Sequence, residues 1–216
     1  MAAPEQRPAV QGPRYGRYVW LLVILILILI TVNTLVTKPN GLAGLAPGTK
    51  LPPFAVPLAT SDLQGAADVA TRPHEGLAGN VPACRLRRSG VLNVCQLYEQ
   101  GPVVLALFVD GSSCTGVLKE MQGLLGVFPQ VRFAAVAVKN EHGEVRRLVD
   151  KLRLGFPVGY DEEGDLAALY KLATCPQVTF ARRGGIVQSK ALLGTPTASE
   201  LRRRVEQLLA SERAGT

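Results

Sequence analysis

The sequence predicts an α/β domain, built on a central mixed sheet with helices on both faces and preceded by one transmembrane helix. Three observations carry this expectation. Residues 18–36, YVWLLVILILILITVNTLV, hold no charge. Two apolar runs of strand length, 103–109 (VVLALFV) and 131–138 (VRFAAVAV), are each followed by a stretch with helical spacing, the pattern of parallel strands buried on both faces. A last pair of strand-like runs meets at Arg183-Gly-Gly185 before a capped helix, which reads as a hairpin closing the sheet.

Residues 1–17 are polar and carry Pro and Gly, so a cytoplasmic tail without fixed structure is expected. The block 18–36 is long enough to cross a hydrocarbon core of about 30 Å as a helix, and Tyr15, Tyr18 and Trp20 fall where aromatic rings favour the headgroup zone. A cleaved signal peptide is the competing reading, but the small-x-small site Gly44-Leu-Ala46 lies far downstream and is followed by Pro47, which obstructs cleavage. Arg7, Arg14 and Arg17 precede the block, whereas only Lys38 and Lys50 follow it before Asp62. The excess of positive charge therefore puts the N-terminus in the cytoplasm and the remainder outside. Residues 37–50 read as a Pro/Gly linker, and residues 51–212 as the domain, with a poorly patterned insertion at about 62–100.

Beyond the insertion the elements follow in order. Strand 103–109 leads through a turn at 110–113 to a helix opened by Cys114, with Val117, Leu118, Met121, Leu124 and Leu125 on one side. Strand 131–138 precedes an amphipathic helix over 144–152. A short strand, 156–160, a turn at 161–164 and a helix over 166–172 come next. The hairpin strands are 177–181 and 186–191. Thr197-Ala-Ser-Glu200 has the spacing of a capping box, with Thr197 as the N-cap of the last helix. The order β-α-β-α-β-α-β-β-α calls for parallel strands and then an antiparallel edge.

The 216 residues allow one core-bearing domain. The net charge of +7 does not point to nucleic acid, because the bases at 85–88, 146–147, 182–183 and 202–204 are scattered and lack aromatic interleaving. They suit a solvated surface or attraction to anionic headgroups. His74 and His142 read as surface histidines, and the acidic run 161–165 has the wrong spacing for a calcium loop. No cofactor or metal site is expected.

Four cysteines, Cys84, Cys95, Cys114 and Cys175, in an exported domain can form disulfides, and three pairings exist. Cys114 stands at the carboxyl end of a buried strand and at a helix start. That edge of an α/β sheet collects active sites, and helix N-termini stabilise thiolates. Cys175 precedes Pro176 at the entrance to a strand, where a cis peptide can fix a tight turn.

The run from Pro102 to Met121, the stretch from Phe156-Pro157 to Tyr170, and Cys175-Pro176-Gln-Val-Thr-Phe180 before Gly184-Gly185 resemble the thioredoxin-like superfamily. The nearest branch is that of membrane-anchored, extracytoplasmic redoxins and thiol-disulfide oxidoreductases of the cytochrome-c-maturation or AhpC/TSA type. The resemblance covers roughly residues 47–210. It implies a nucleophile at Cys114, an acidic-apolar pair at Glu120 and Met121, and a cis-proline at Pro176 bordering the substrate groove. Two departures stand out. Val117 occupies the place of the resolving cysteine, and Gly111 stands where a peroxiredoxin has threonine. In this fold the residue before the cis-proline faces the nucleophile, so the resemblance also implies that Cys175 can pair with Cys114 from across the site. Cys84 and Cys95 are expected to form a structural disulfide, since closing a loop of about a dozen residues stabilises by roughly 3 kcal/mol in the chain-entropy model.

The expected function is a membrane-anchored thiol-disulfide oxidoreductase acting on exported protein thiols or small oxidants, served by a further redox partner. Its rivals are a thioredoxin-fold binding module without catalysis and a peroxiredoxin-like thiol peroxidase.

Overall fold

The computed structural model describes residues 16–36, 44–74, 81–109, 111 and 113–214, with side chains in the first helix given for 18–29. The chain divides into two units, Met1–Asn40 and Gly41–Thr216.

In the first unit, Gly16–Val36 forms helix α1. Its leucines and isoleucines leave no polar stripe, and every described side chain, Tyr18 to Leu29, is exposed, so this part of the helix buries no face within its unit. Among the described residues no helix is long and apolar enough to cross a membrane. Side chains 30–36 of the expected span lie outside the described ones. The expected tail up to residue 15 and linker residues 37–43 lie outside the described residues.

In the second unit, residues 44–50, expected as the end of the linker, are hydrogen-bonded into the domain. The Gly44 N–H donates to the Lys171 carbonyl at 3.2 Å, that of Gly48 to Val187 at 2.8 Å, and that of Val187 to Thr49 at 2.8 Å. Leu45 joins the core. The Pro/Gly composition that suggests a linker belongs here to an extended edge whose backbone groups find partners along 185–187. Strand β1 (Ala55–Pro57) pairs antiparallel with β2 (Val91–Asn93), and helix α2 (Val94–Gln100) follows at once. A 3-10 turn, Ala83–Arg85, lies between them in the chain. The expected insertion thus supplies the second strand of a small antiparallel ribbon, the 3-10 turn and a helix, although residues 75–80 of it lie outside the described ones.

The main sheet has the order β5-β4-β3-β6-β7. Its strands are β3 (Val103–Phe108), β4 (Arg132–Val138), β5 (Val158–Asp161), β6 (Gln177–Ala181) and β7 (Leu192–Leu193). β3, β4 and β5 are parallel, whereas β6 and β7 run antiparallel to their neighbours. The helices between and after them are α3 (Gly116–Leu125), α4 (His142–Leu152), α5 (Asp165–Leu169) and α6 (Ala198–Ala214). All six residues of β3 are buried because each face carries its own core. Val104, Ala106 and Phe108 meet α3, α4 and α6 through Leu118, Met121, Val145, Leu201 and Val205. Val103, Leu105 and Leu107 meet α2 and α5 through Val94, Tyr98 and Leu166.

One expectation shifts. The second hairpin strand, expected over 186–191, is reduced to a bridge between Val187 and Ala181, with β7 beginning only at Leu192. The entering segment explains the break, since Lys50 bridges to Ile186. The turn itself is as read: Gly185 has φ +85°, and a Cβ there would come within 2.7 Å of the Tyr98 ring, so glycine is required twice over. At α6 the N–H of Glu200 donates to Thr197 Oγ1 at 3.2 Å, the cap expected at that position.

Candidate functional site

Cys114 and Cys175 are joined in a disulfide at the carboxyl edge of β3, their Cα atoms 5.3 Å apart. β3 delivers the chain to this edge through Val109, and the segment up to Thr115 turns into α3. The helix begins at Gly116 with Thr115 as its N-cap, so Cys114 lies just ahead of the first turn and not within it. The N–H groups of Cys114 and Thr115 donate to the Gly111 carbonyl at 3.0 and 3.2 Å, which folds the loop back on itself. Residues 110 and 112 lie outside the described ones. On the opposite side Cys175 enters β6 through Pro176, which is buried, and the Cys175–Pro176 peptide is cis.

The two sulfurs have different surroundings. The backbone N–H of Val109 donates to Cys175 Sγ at 3.1 Å, a contact that favours negative charge on that sulfur. Ser113 Oγ lies 3.8 Å from Cys114 Sγ. Both cysteines are half-buried, so the bond is accessible to an incoming thiolate. Val117, at the place of a second helix cysteine, is fully buried in the core that Cys175 packs against. Met121 is buried beside it and Glu120 half-buried. Leu193, paired with Gln177 across β7, leaves an exposed apolar side chain at the sheet edge near the cis-proline.

Cys84 and Cys95 form the second disulfide, with a Cα separation of 5.3 Å. It ties the 3-10 turn to the start of α2. Cys95 is fully buried, and both cysteines belong to the core opposite the one Cys175 packs against. Asn93 reinforces the tie. Its Oδ1 accepts the N–H groups of Cys95 and Gln96 at 2.9 and 3.3 Å, while Nδ2 donates to the Ala83 and Leu86 carbonyls at 2.8 and 3.1 Å.

The histidines stand apart from both disulfides. His74 is exposed with φ +62°. His142, read from sequence as a surface residue, is half-buried; its ring stacks on Tyr160 with centroids 4.8 Å apart. Its Nε2 lies 3.0 Å from the Ala59 carbonyl, which assigns the ring proton to that nitrogen. Among the described residues no group of three or more His, Cys, Asp or Glu is arranged to hold a metal. Sequence reading missed the Val109 N–H and the Gly194-Thr195 segment beside the site. The latter leaves one trace, a Gly-Thr-Pro run after the last strand.

No family model and no curated protein matches the chain. Solved structures do. A protein assigned as the thiol:disulfide interchange protein DsbE from Chlorobium tepidum superposes with a TM-score of 0.57 at 18% identity, over 78% of this chain and 98% of its own. A protein assigned as a disulfide isomerase from Bacteroides thetaiotaomicron gives 0.56 at 11% identity, over 77% and 91%. The peroxidoxin BcpB from Mycobacterium tuberculosis gives 0.53 at 15% identity, over 78% and 96%. At these identities the likeness speaks for the fold: the domain that begins at Gly41 is thioredoxin-like.

Proposed function

We propose that the chain is a thiol-disulfide oxidoreductase in which Cys114 exchanges with substrate and Cys175 is its partner sulfur. The observation that carries this reading is the Cys114–Cys175 disulfide at the carboxyl edge of the sheet, its cysteines half-buried and with a backbone donor on one sulfur. The likeness to interchange proteins supports it at the level of fold. In the oxidised form a substrate thiolate attacks Cys114 Sγ, the bond to Cys175 breaks, and the electron pair passes to Cys175 Sγ beside the Val109 N–H. A second substrate thiolate then attacks the substrate sulfur of the mixed disulfide and releases Cys114. Two substrate thiols become one disulfide, and two electrons remain as the Cys114–Cys175 dithiol until a disulfide-bearing redox partner accepts them. The same steps in reverse reduce a substrate disulfide.

Residues 18–36 anchor the domain in the lipid bilayer, with the N-terminal tail in the cytoplasm and the domain outside, where protein thiols undergo oxidation. This rests on the uncharged block and the arginines before it. The substrates are then exported protein thiols.

The test is trapping. The reduced full chain carrying Cys175→Ser, offered a cysteine peptide in disulfide form, accumulates a mixed disulfide on Cys114, because the sulfur that releases the peptide is gone. Cys114→Ser accumulates none at position 114, and the wild type turns over. A Cys114 that stays unreactive until the chain is denatured contradicts the reading and leaves a binding module.

A further inference from the structure

One short segment touches both lips of the site. The N–H of Gly194 donates to the Pro176 carbonyl at 2.9 Å, one residue from Cys175. The hydroxyl of the next residue, Thr195, donates to the Ser113 carbonyl at 2.8 Å, across 82 positions of sequence, one residue from Cys114. The segment is stiff. Pro196 is buried, fixes its own φ and confines Thr195 to extended backbone, while Gly194 takes φ +78°. Thr195 also lies against the loop, since a Cβ on Gly116 would come within 3.3 Å of its Cγ2.

We propose that Gly194-Thr195 is a strap that positions the Cys114 loop against Cys175, with the Thr195 hydroxyl as the positioning group that sets how readily the disulfide closes. With the disulfide formed, the loop is already held and the Thr195 hydrogen bond forms at little entropic cost. With the disulfide reduced, that hydrogen bond must order a loop held otherwise only by its own turn at Gly111. The bond is therefore stronger in the oxidised form, and by reciprocity it favours the oxidised form. The segment makes no contact with substrate in this scheme and acts only through the loop it holds.

The inference rests on the exchange reading above, and the experiment separates the two. The full chain is equilibrated with mixtures of reduced and oxidised glutathione, in which two glutathione thiols reduce the bond and one glutathione disulfide forms. The state of each cysteine pair is read by differential alkylation. Thr195→Val keeps shape and removes the hydroxyl. It is expected to shift the equilibrium measurably toward the dithiol, by up to roughly tenfold, the most that one net hydrogen bond supplies, and Thr195→Ser restores the wild-type constant. Cys84–Cys95 in the same sample reports that the fold is intact, because it stays closed in all three proteins. Equal constants for wild type and Thr195→Val overturn the strap alone. A wild-type Cys114–Cys175 bond that never equilibrates with the buffer overturns the strap and the exchange reading together.

Discussion

The two disulfides share a Cα separation of 5.3 Å and lie on opposite faces of one sheet, but their surroundings suit different roles. Thiolate attack on a disulfide requires access to one sulfur and a tolerable charge on the other. At Cys114–Cys175 both conditions hold, because neither cysteine is fully buried and the departing sulfur of Cys175 has the Val109 N–H at 3.1 Å. At Cys84–Cys95 the accessible sulfur is Cys84, so attack there leaves the charge on Cys95, which is fully buried among apolar side chains. The N–H groups of Cys95 and Gln96 at the start of α2, which would otherwise offset that charge, are already bonded to Asn93. A thiolate buried without compensation is costly. Reactivity therefore follows from the sulfur left behind as much as from the one attacked.

Stability alone does not separate the pair, and this sharpens the comparison. On the chain-entropy account, replacing Cys114 and Cys175 together by serine opens a link of sequence separation 61 and costs about 4 kcal/mol. Replacing Cys84 and Cys95 together opens a link of separation 11 and costs about 3 kcal/mol. In a domain of this size these correspond to Tm losses of roughly 8–16 °C and 6–12 °C, measurable by thermal unfolding followed by circular dichroism. Exchange activity is expected to vanish in the first variant and to persist in the second at a temperature where both are folded. Loss of exchange in the Cys84/Cys95 variant would break the division of roles.

A smaller effect concerns the carboxyl end of the outer strand β5. Asp161, at the end of β5, is fully buried. Desolvation raises its carboxyl above the ordinary value of 3.8, against the N–H groups of Leu166 and Gly164, which pull it down. A carboxyl raised on folding binds more protons in the native than in the unfolded state between its two pKa values. Stability in that window therefore falls as pH rises. Asp161→Asn is expected to remove this downward slope just above pH 3.8, as measured by denaturant unfolding across pH. An unchanged slope would show that other groups set it.

Legibility in the sequence followed burial and length. β3 and β4 are covered on both faces, so their apolar runs were readable, and the Thr197 cap of α6 is a local signal that needs no tertiary context. β2 and the 3-10 turn have three residues each and α2 seven, too few for a period to emerge, and they left the insertion opaque. The order of elements placed Cys114 at the sheet edge, and the resemblance to known redoxins supplied Cys175 opposite it. The hydroxyl of Thr195 and the amide of Val109 act across 82 and 66 positions of sequence, and no local pattern marks such contacts.

The most direct test of the division between the two bonds is the rate at which each opens in the folded full chain. Native protein is exposed to a small excess of dithiothreitol, quenched at intervals and alkylated, and each cysteine pair is followed by peptide mass. The account predicts that Cys114–Cys175 opens at least about a hundredfold faster than Cys84–Cys95, as expected when the leaving thiolate is hydrogen-bonded in one bond and buried among apolar side chains in the other. Equal rates, or Cys84–Cys95 opening first, would contradict it.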